Sequence, residues 1–207
     1  YSPWTASGAS YGYITAQGGH RIGLCGEVAV NEGKVISFRE VDSLNIRVAR
    51  DLPGIADKLT VIQDNALILG APGWGKTTLL RDLARKIAQN QTISVVDERG
   101  ELYPPGITRG NRMDVLTGCS KALGIDMVLR SMGPEWIAID EITAYQDTHA
   151  LIKAVGCGVK LLATAHASSI EDLKTRKIYQ TLLNCGIFRT VIVLRRDKSY
   201  YTERICQ

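Results

Sequence analysis

From residue 66 onward the chain alternates short apolar runs with longer stretches whose apolar residues recur at helical spacing. "NALILG", "TISVVDE", "EWIAIDEI", "VKLLATAHA" and "FRTVIVLRR" have strand length, and each predicts a buried strand. "GKTTLLRDLARKIAQN" predicts a helix directly after the first of them. "DMVLRSM" belongs to a second helix, "DTHALIKAVGCG" is a third closed by glycine, and "SIEDLKTRKIYQTLLNCG" holds one or two more. "YYTERIC" is a candidate hairpin partner for the last strand. Alternating β and α elements predict an α/β fold with a largely parallel sheet covered on both faces.

The pattern before this is different. "YGYITAQGGHRIGLCGEVAVNEGKVISFREV" is a set of β-rich pieces punctuated by Gly18-Gly19 and by "NEGK" at 31–34, which reads as a hairpin turn. "SLNIRVARDL" fits a strand or a short helix, and "IADKL" a helical turn after Pro53-Gly54. Two regions follow: a small β-rich region over 1–58 and a core over 59–207. The first ten residues read as a loop or as the cut start of a larger region.

Composition narrows this little. A hydrophobic share of 45% and a charged share of 22% are those of an ordinary globular protein. No apolar run is long enough to span a bilayer, and the opening residues lack the pattern of a signal peptide. A net charge of +4 neither demands nor excludes nucleic acid. The five cysteines, Cys25, Cys119, Cys157, Cys185 and Cys206, are widely spaced, with no C-x-x-C. They read as free thiols of a reducing compartment, mostly small core residues, and not as a zinc site.

The chemistry is concentrated at the ends of the predicted strands. Gly70-Ala71-Pro72-Gly73-Trp74-Gly75-Lys76-Thr77 matches the phosphate-loop pattern G-x-x-x-x-G-K-[ST], between a strand and a helix as the mechanism requires. Gly70, Gly73 and Gly75 let backbone N–H groups, including those of Trp74 and Thr78, turn toward the phosphates. The helix start adds its positive dipole end. Lys76 reaches the β/γ-phosphates, and the Thr77 hydroxyl takes a place on Mg²⁺. The Trp74 side chain has no role that phosphates require; it shields the loop or packs on a neighbouring subunit.

Three further strands end in polar groups. "EWIAIDEI" ends in Asp140, a candidate for the Mg²⁺ shell, and Glu141, a candidate to polarise the attacking water. "SVVDE" ends in Asp97 and Glu98, which would orient water or metal if their strand neighbours the loop's strand. "LLATAHA" brings Thr164 and His166, groups able to sense the γ-phosphate. His20 and His149 lack such company and read as structural or surface residues. No N/T-K-x-D tetrapeptide selects guanine, so the expected nucleotide is ATP. No acceptor site or lid is visible, which favours hydrolysis coupled to motion. A nucleic-acid-dependent ATPase is the competing reading; stimulation by single strands would identify it, and the mild charge gives it little support.

Taken in order, the loop at 70–77, the acidic end at 97–98, "RSMGPEWIAIDEI" and "ATAHASS" resemble the type II/type IV secretion ATPase superfamily. The wording "GYITAQGGHRIGLCGEV", "VVDERGEL" and "ATAHASSIEDL" is similar to its sporulation branch over nearly the whole chain. The resemblance implies a RecA-like core, ATP and Mg²⁺, and hydrolysis supported by Glu141 and an acidic residue at 97–98, with His166 sensing nucleotide. It also implies a homo-hexamer, cytoplasmic and peripheral to a membrane channel between mother cell and forespore, on the mother-cell side. Its partner there is a membrane-embedded protein like the secretion platform, and nucleic acid is not expected as a partner. Arg47 or Arg50 would approach nucleotide from the side or from a neighbour, and closure between the two regions would turn hydrolysis into movement. The sequence departs from the superfamily at Asp140, where glycine is usual, and at Thr143, where arginine is usual.

Overall fold

The structure, a computed structural model, describes residues 12–59 and 62–205. The reading of the first ten residues as a loop and of Cys206 as a free thiol lies outside the described residues. The chain divides into two compact units, Tyr1–Asp51 with Tyr103–Thr108, and Leu52–Leu102 with Arg109–Gln207.

The first unit is a three-stranded antiparallel sheet of β1 (Tyr13–Thr15), β2 (Arg21–Asn31) and β3 (Lys34–Arg47). Glu32 (φ 48°) and Gly33 (φ 75°) make the turn that "NEGK" announces. Positive φ at both central residues matches the right-handed twist of the flanking strands. The ambiguous "SLNIR" continues β3, with Ile46 opposite Ile22 and Leu44 opposite Leu24. His20 Nδ1 accepts the Ala49 N–H at 3.1 Å, a structural role. Residues 103–108 join this unit through a close approach. Gly18 N–H bonds to the Pro105 carbonyl at 3.1 Å. A Cβ on Gly19, at φ 79°, would lie 2.2 Å from Pro104 Cγ, so only glycine fits.

The division after Asp51, instead of near 58, has a physical cause. Ala56 and Leu59 are buried, and the Ala56 N–H bonds to Asp82 Oδ2 at 2.9 Å. Lys86 donates to the carbonyls of Ala56 and Leu59. The turn segment is thereby fastened to the first helix of the core.

The core unit holds strands β4 (Ala66–Leu69), β5 (Ile93–Asp97), β6 (Met113–Thr117), β7 (Trp136–Ile139), β8 (Lys160–Ala165), β9 (Thr190–Leu194) and β10 (Tyr200–Arg204). Its helices are α1 (Lys76–Ile87), α2 (Lys121–Ser131), α3 (Tyr145–Gly156), α4 (Ile170–Thr175) and α5 (Lys177–Asn184). The sheet order is β10-β9-β4-β8-β7-β5-β6. Every pairing is parallel except β9 with β10, which form the expected hairpin. β4, β5 and β7 are buried at every position, as strands covered on both faces must be. Trp136 is fully buried, and its indole N–H reaches Gln91 Oε1 at 3.0 Å.

Two expectations are corrected. β6 was not foreseen as an element; it is a half-exposed edge strand without a strong apolar run. The cysteines are free, but they are not core residues: Cys25, Cys157 and Cys185 are exposed and Cys119 is half-buried. Cys157 and Cys185 cap the carboxyl ends of α3 and α5, where the chain turns out toward solvent.

Candidate functional site

β4, β8, β7 and β5 lie side by side and run in one direction, so their carboxyl ends share one edge of the sheet. Ligands of open α/β sheets bind along such an edge. Residues 70–75 leave β4 and wrap into α1, whose first residue is Lys76. Gly73 (φ 76°) and Gly75 (φ 104°) occupy the left-handed region that side chains disfavour. A Cβ on Gly70 would come within 3.3 Å of Lys76 Cγ and 3.2 Å of Leu194 Cβ. Trp74 is half-buried, and its N–H closes a turn to the Ala71 carbonyl at 3.2 Å. Thr78 follows in the first turn of α1.

Lys76 is only 7% exposed. Its ammonium donates to the Ala71 carbonyl at 3.3 Å and to His166 Nδ1 at 2.9 Å. An ammonium can only donate, so Nδ1 accepts and the neutral ring carries its proton on Nε2. Nε2 lies 3.0 Å from Glu141 Oε1. Lys76, His166 and Glu141 therefore form one chain of hydrogen bonds across the strand ends. Burial pushes the Lys76 pKa below the ordinary lysine value, while the Asp140 and Glu141 carboxylates pull it back up.

Asp140 joins the loop to the sheet. Its Oδ2 accepts from the Thr77 hydroxyl at 2.8 Å, and its Oδ1 from the Thr164 hydroxyl at 2.7 Å. Thr164 in turn accepts the Glu141 N–H at 2.8 Å, and its carbonyl takes the Ile142 N–H. Glu141 stands at φ 56°, a left-handed backbone that costs a non-glycine residue about 1 kcal/mol. The two bonds from Thr164 hold it there.

The other acidic pair divides. β8 and β7 stand between β5 and the loop's strand, so the neighbouring arrangement expected for Asp97 does not occur. Asp97 is 3% exposed, and its two oxygens accept the N–H groups of Glu101 and Leu102 at 2.9 and 2.8 Å. It thereby staples the loop after β5, and it lines the same cleft as Asp140 and Glu141. Glu98 points into the cleft lined by Asp140, Glu141 and Thr143. There it meets Lys121 Nζ at 2.5 Å.

The family model for sporulation stage III, protein AA, matches residues 6–204. The chain belongs to that family. Within it, the stage III sporulation protein AA of Bacillus subtilis (strain 168) is 41% identical over 203 residues, which cover 90% of this chain and 66% of the relative. Among solved structures, the ATPase DotB of Legionella pneumophila superposes with a TM-score of 0.59 at 18% identity, over 93% of this chain and 57% of its own. The pilus retraction motor PilT with bound ADP gives 0.56 at 16% identity, over 85% and 55%. The core is thus the RecA-like fold of the secretion ATPases. The chain spans about two thirds of its Bacillus relative and just over half of DotB and PilT.

Two lysines at the site carry no motif and escape a reading by pattern. Lys121, at the start of α2, is 6% exposed and also faces Thr143 Oγ1 at 3.5 Å and Asp147 Oδ2 at 3.9 Å. Asp147 accepts the N–H groups of Thr143 and Ala144, so Lys121 links Glu98 to the segment that follows Glu141. Lys198, in the β9–β10 turn, donates to the Gly73 carbonyl.

Proposed function

We propose that this protein is an ATP-hydrolysing motor of the secretion-ATPase type. The observation that carries the reading is the 2.8 Å bond between Thr77 and Asp140. It brings the hydroxyl of the phosphate loop and the carboxylate of a distant strand end to one point. The Lys76–His166–Glu141 chain runs beside it.

The residues present fit a nucleotide with Mg²⁺. Mg²⁺ keeps most of its waters and needs only one or two protein oxygens beside those of phosphate. Thr77 Oγ1 and Asp140 would hold it, and its charge would offset that of the β- and γ-phosphates. Gly70, Gly73, Trp74, Gly75, Lys76, Thr77 and Thr78 would cradle the phosphates. Lys76 exchanges His166 and the Ala71 carbonyl for phosphate oxygens, and this leaves His166 to Glu141 alone. Glu141 takes the proton of the attacking water as the bond from the γ-phosphorus to its bridging oxygen breaks. His166 reports the change, and Glu98, its charge offset by Lys121, forms the far wall of the cleft.

Family membership and the fold support a homo-hexamer, at the cytoplasmic face of a membrane channel complex and on the mother-cell side. It would act there on a membrane-embedded partner like the secretion platform. Among the described residues no helix is long and apolar enough to cross a membrane. The family likeness supports a peripheral contact with such a complex. The test is a pair of variants. Lys76→Ala is expected to abolish ATP binding. Glu141→Gln should keep binding and lose turnover, and its mass in solution with ATP should rise to six copies. Normal hydrolysis by Glu141→Gln would overturn the catalytic assignment.

A further inference from the structure

The turn between β9 and β10 carries an anomaly and a contact that explain each other. Lys198 stands at φ 71°, in the left-handed region of a hairpin turn, where glycine or asparagine is usual. The turn is built to keep it there. Asp197 Oδ1 accepts from the Ser199 N–H and hydroxyl at 3.0 and 2.6 Å. Lys198 N–H bonds to the Arg195 carbonyl, and Arg195 N–H to that of Ser199. Backbone held in a disfavoured region points to a use for the side chain.

That side chain reaches the phosphate loop. Lys198 Nζ donates to the Gly73 carbonyl, while the next N–H along the chain, that of Trp74, bonds to the Ala71 carbonyl. The Gly73–Trp74 peptide is thus held at both ends. Lys198 Cδ also lies 3.9 Å from where a Cβ on Gly75 would stand. The end of β9 also backs the loop, with Leu194 against Gly70.

We propose that Lys198 is a positioning residue for nucleotide binding. Through the Gly73 carbonyl it holds the phosphate loop in its turned shape, and it adds a second positive charge beside Lys76 for a nucleoside di- or triphosphate. The inference rests on the nucleotide reading above. It makes the β9–β10 hairpin part of the binding site, and it assigns a role to a residue that no phosphate-loop pattern contains.

Calorimetric titration of the full chain with Mg·ATP and Mg·ADP tests it, alongside thermal midpoints without nucleotide. Lys198→Gly relieves the backbone while removing the charge. It is expected to weaken both nucleotides about tenfold with no fall in midpoint. Lys198→Arg should bind within about threefold of the wild type, since it keeps the charge and a donor. Wild-type affinity in both Lys198→Gly and Lys198→Ala would overturn the proposal. So would a loss of affinity that comes with a lowered midpoint in Lys198→Gly, which marks a merely structural role. If the wild type itself binds neither nucleotide, the nucleotide reading falls and this inference with it. If Lys76→Ala abolishes binding while the Lys198 variants bind normally, only this inference falls.

Discussion

At the scale of the residue, Lys76 carries a charge that the fold holds at a cost. It is almost fully buried, and its partners are a carbonyl, an imidazole and, more distantly, two carboxylates. Burial lowers its pKa below the ordinary 10.5. The unfolded chain therefore keeps this proton to higher pH than the folded one, and stability rises with pH between the depressed value and 10.5. Lys76→Met removes that dependence. Without nucleotide, the variant is expected to be more stable than the wild type at neutral pH. Its advantage should shrink as pH climbs toward 10.5, in denaturant titrations across a pH series. Phosphate-loop residues were legible because their spacing is itself the mechanism. Asp97 and Glu98 look equivalent in the sequence, two acids at one strand end. Only the fold separates them: Asp97 is tied by two backbone N–H groups and Glu98 by the Lys121 ammonium, at one cleft.

At the scale of the element, β8 is the strand that makes the site work as a unit, because it lies between the loop's strand and the strand of Asp140. Thr164 is fully buried and its hydroxyl both donates and accepts across β8 and β7. Ser94 is equally buried on β5, and its hydroxyl has no partner among the described residues. The pair gives a contrast that one set of measurements checks. Thr164→Val is expected to cost about 2 kcal/mol of stability and to cut turnover at least about tenfold, since it frees Asp140 and Glu141 together. Ser94→Ala should leave stability within about 1 kcal/mol of the wild type or raise it, because an unpaired buried hydroxyl is removed. The fully buried strands announced themselves as apolar runs, and the helices as periodic stretches. β6 did not, because an edge strand alternates weakly. Nor did the role of Lys121 or Lys198, since a lysine at a helix start or in a turn looks like a solvated residue until the fold places it.

At the scale of the whole molecule, the first unit is discontinuous in sequence. The chain enters the core at Leu52, returns to the first unit for Tyr103–Thr108, and leaves it again at Arg109. A fragment of residues 52–207 keeps Tyr103, which is 2% exposed in the whole chain, but removes the sheet of its own unit. In that fragment a nonspecific protease is expected to cut within 103–108 early, whereas in the full chain the Gly18–Pro105 bond and the burial of Tyr103 protect the segment. Equal resistance in the two would overturn this. The return segment has a further consequence. It starts immediately after Leu102, whose N–H is fixed by Asp97 and whose carbonyl is gripped by Arg81 at 2.5 Å. Asp97 ends the strand beside that of Asp140. The covalent chain is thus clamped at the site's edge and then becomes part of the other unit. Leu102 is therefore a fixed end: whatever residues 103–108 do, the β5 end that precedes them is held by its own unit through Asp97 and Arg81.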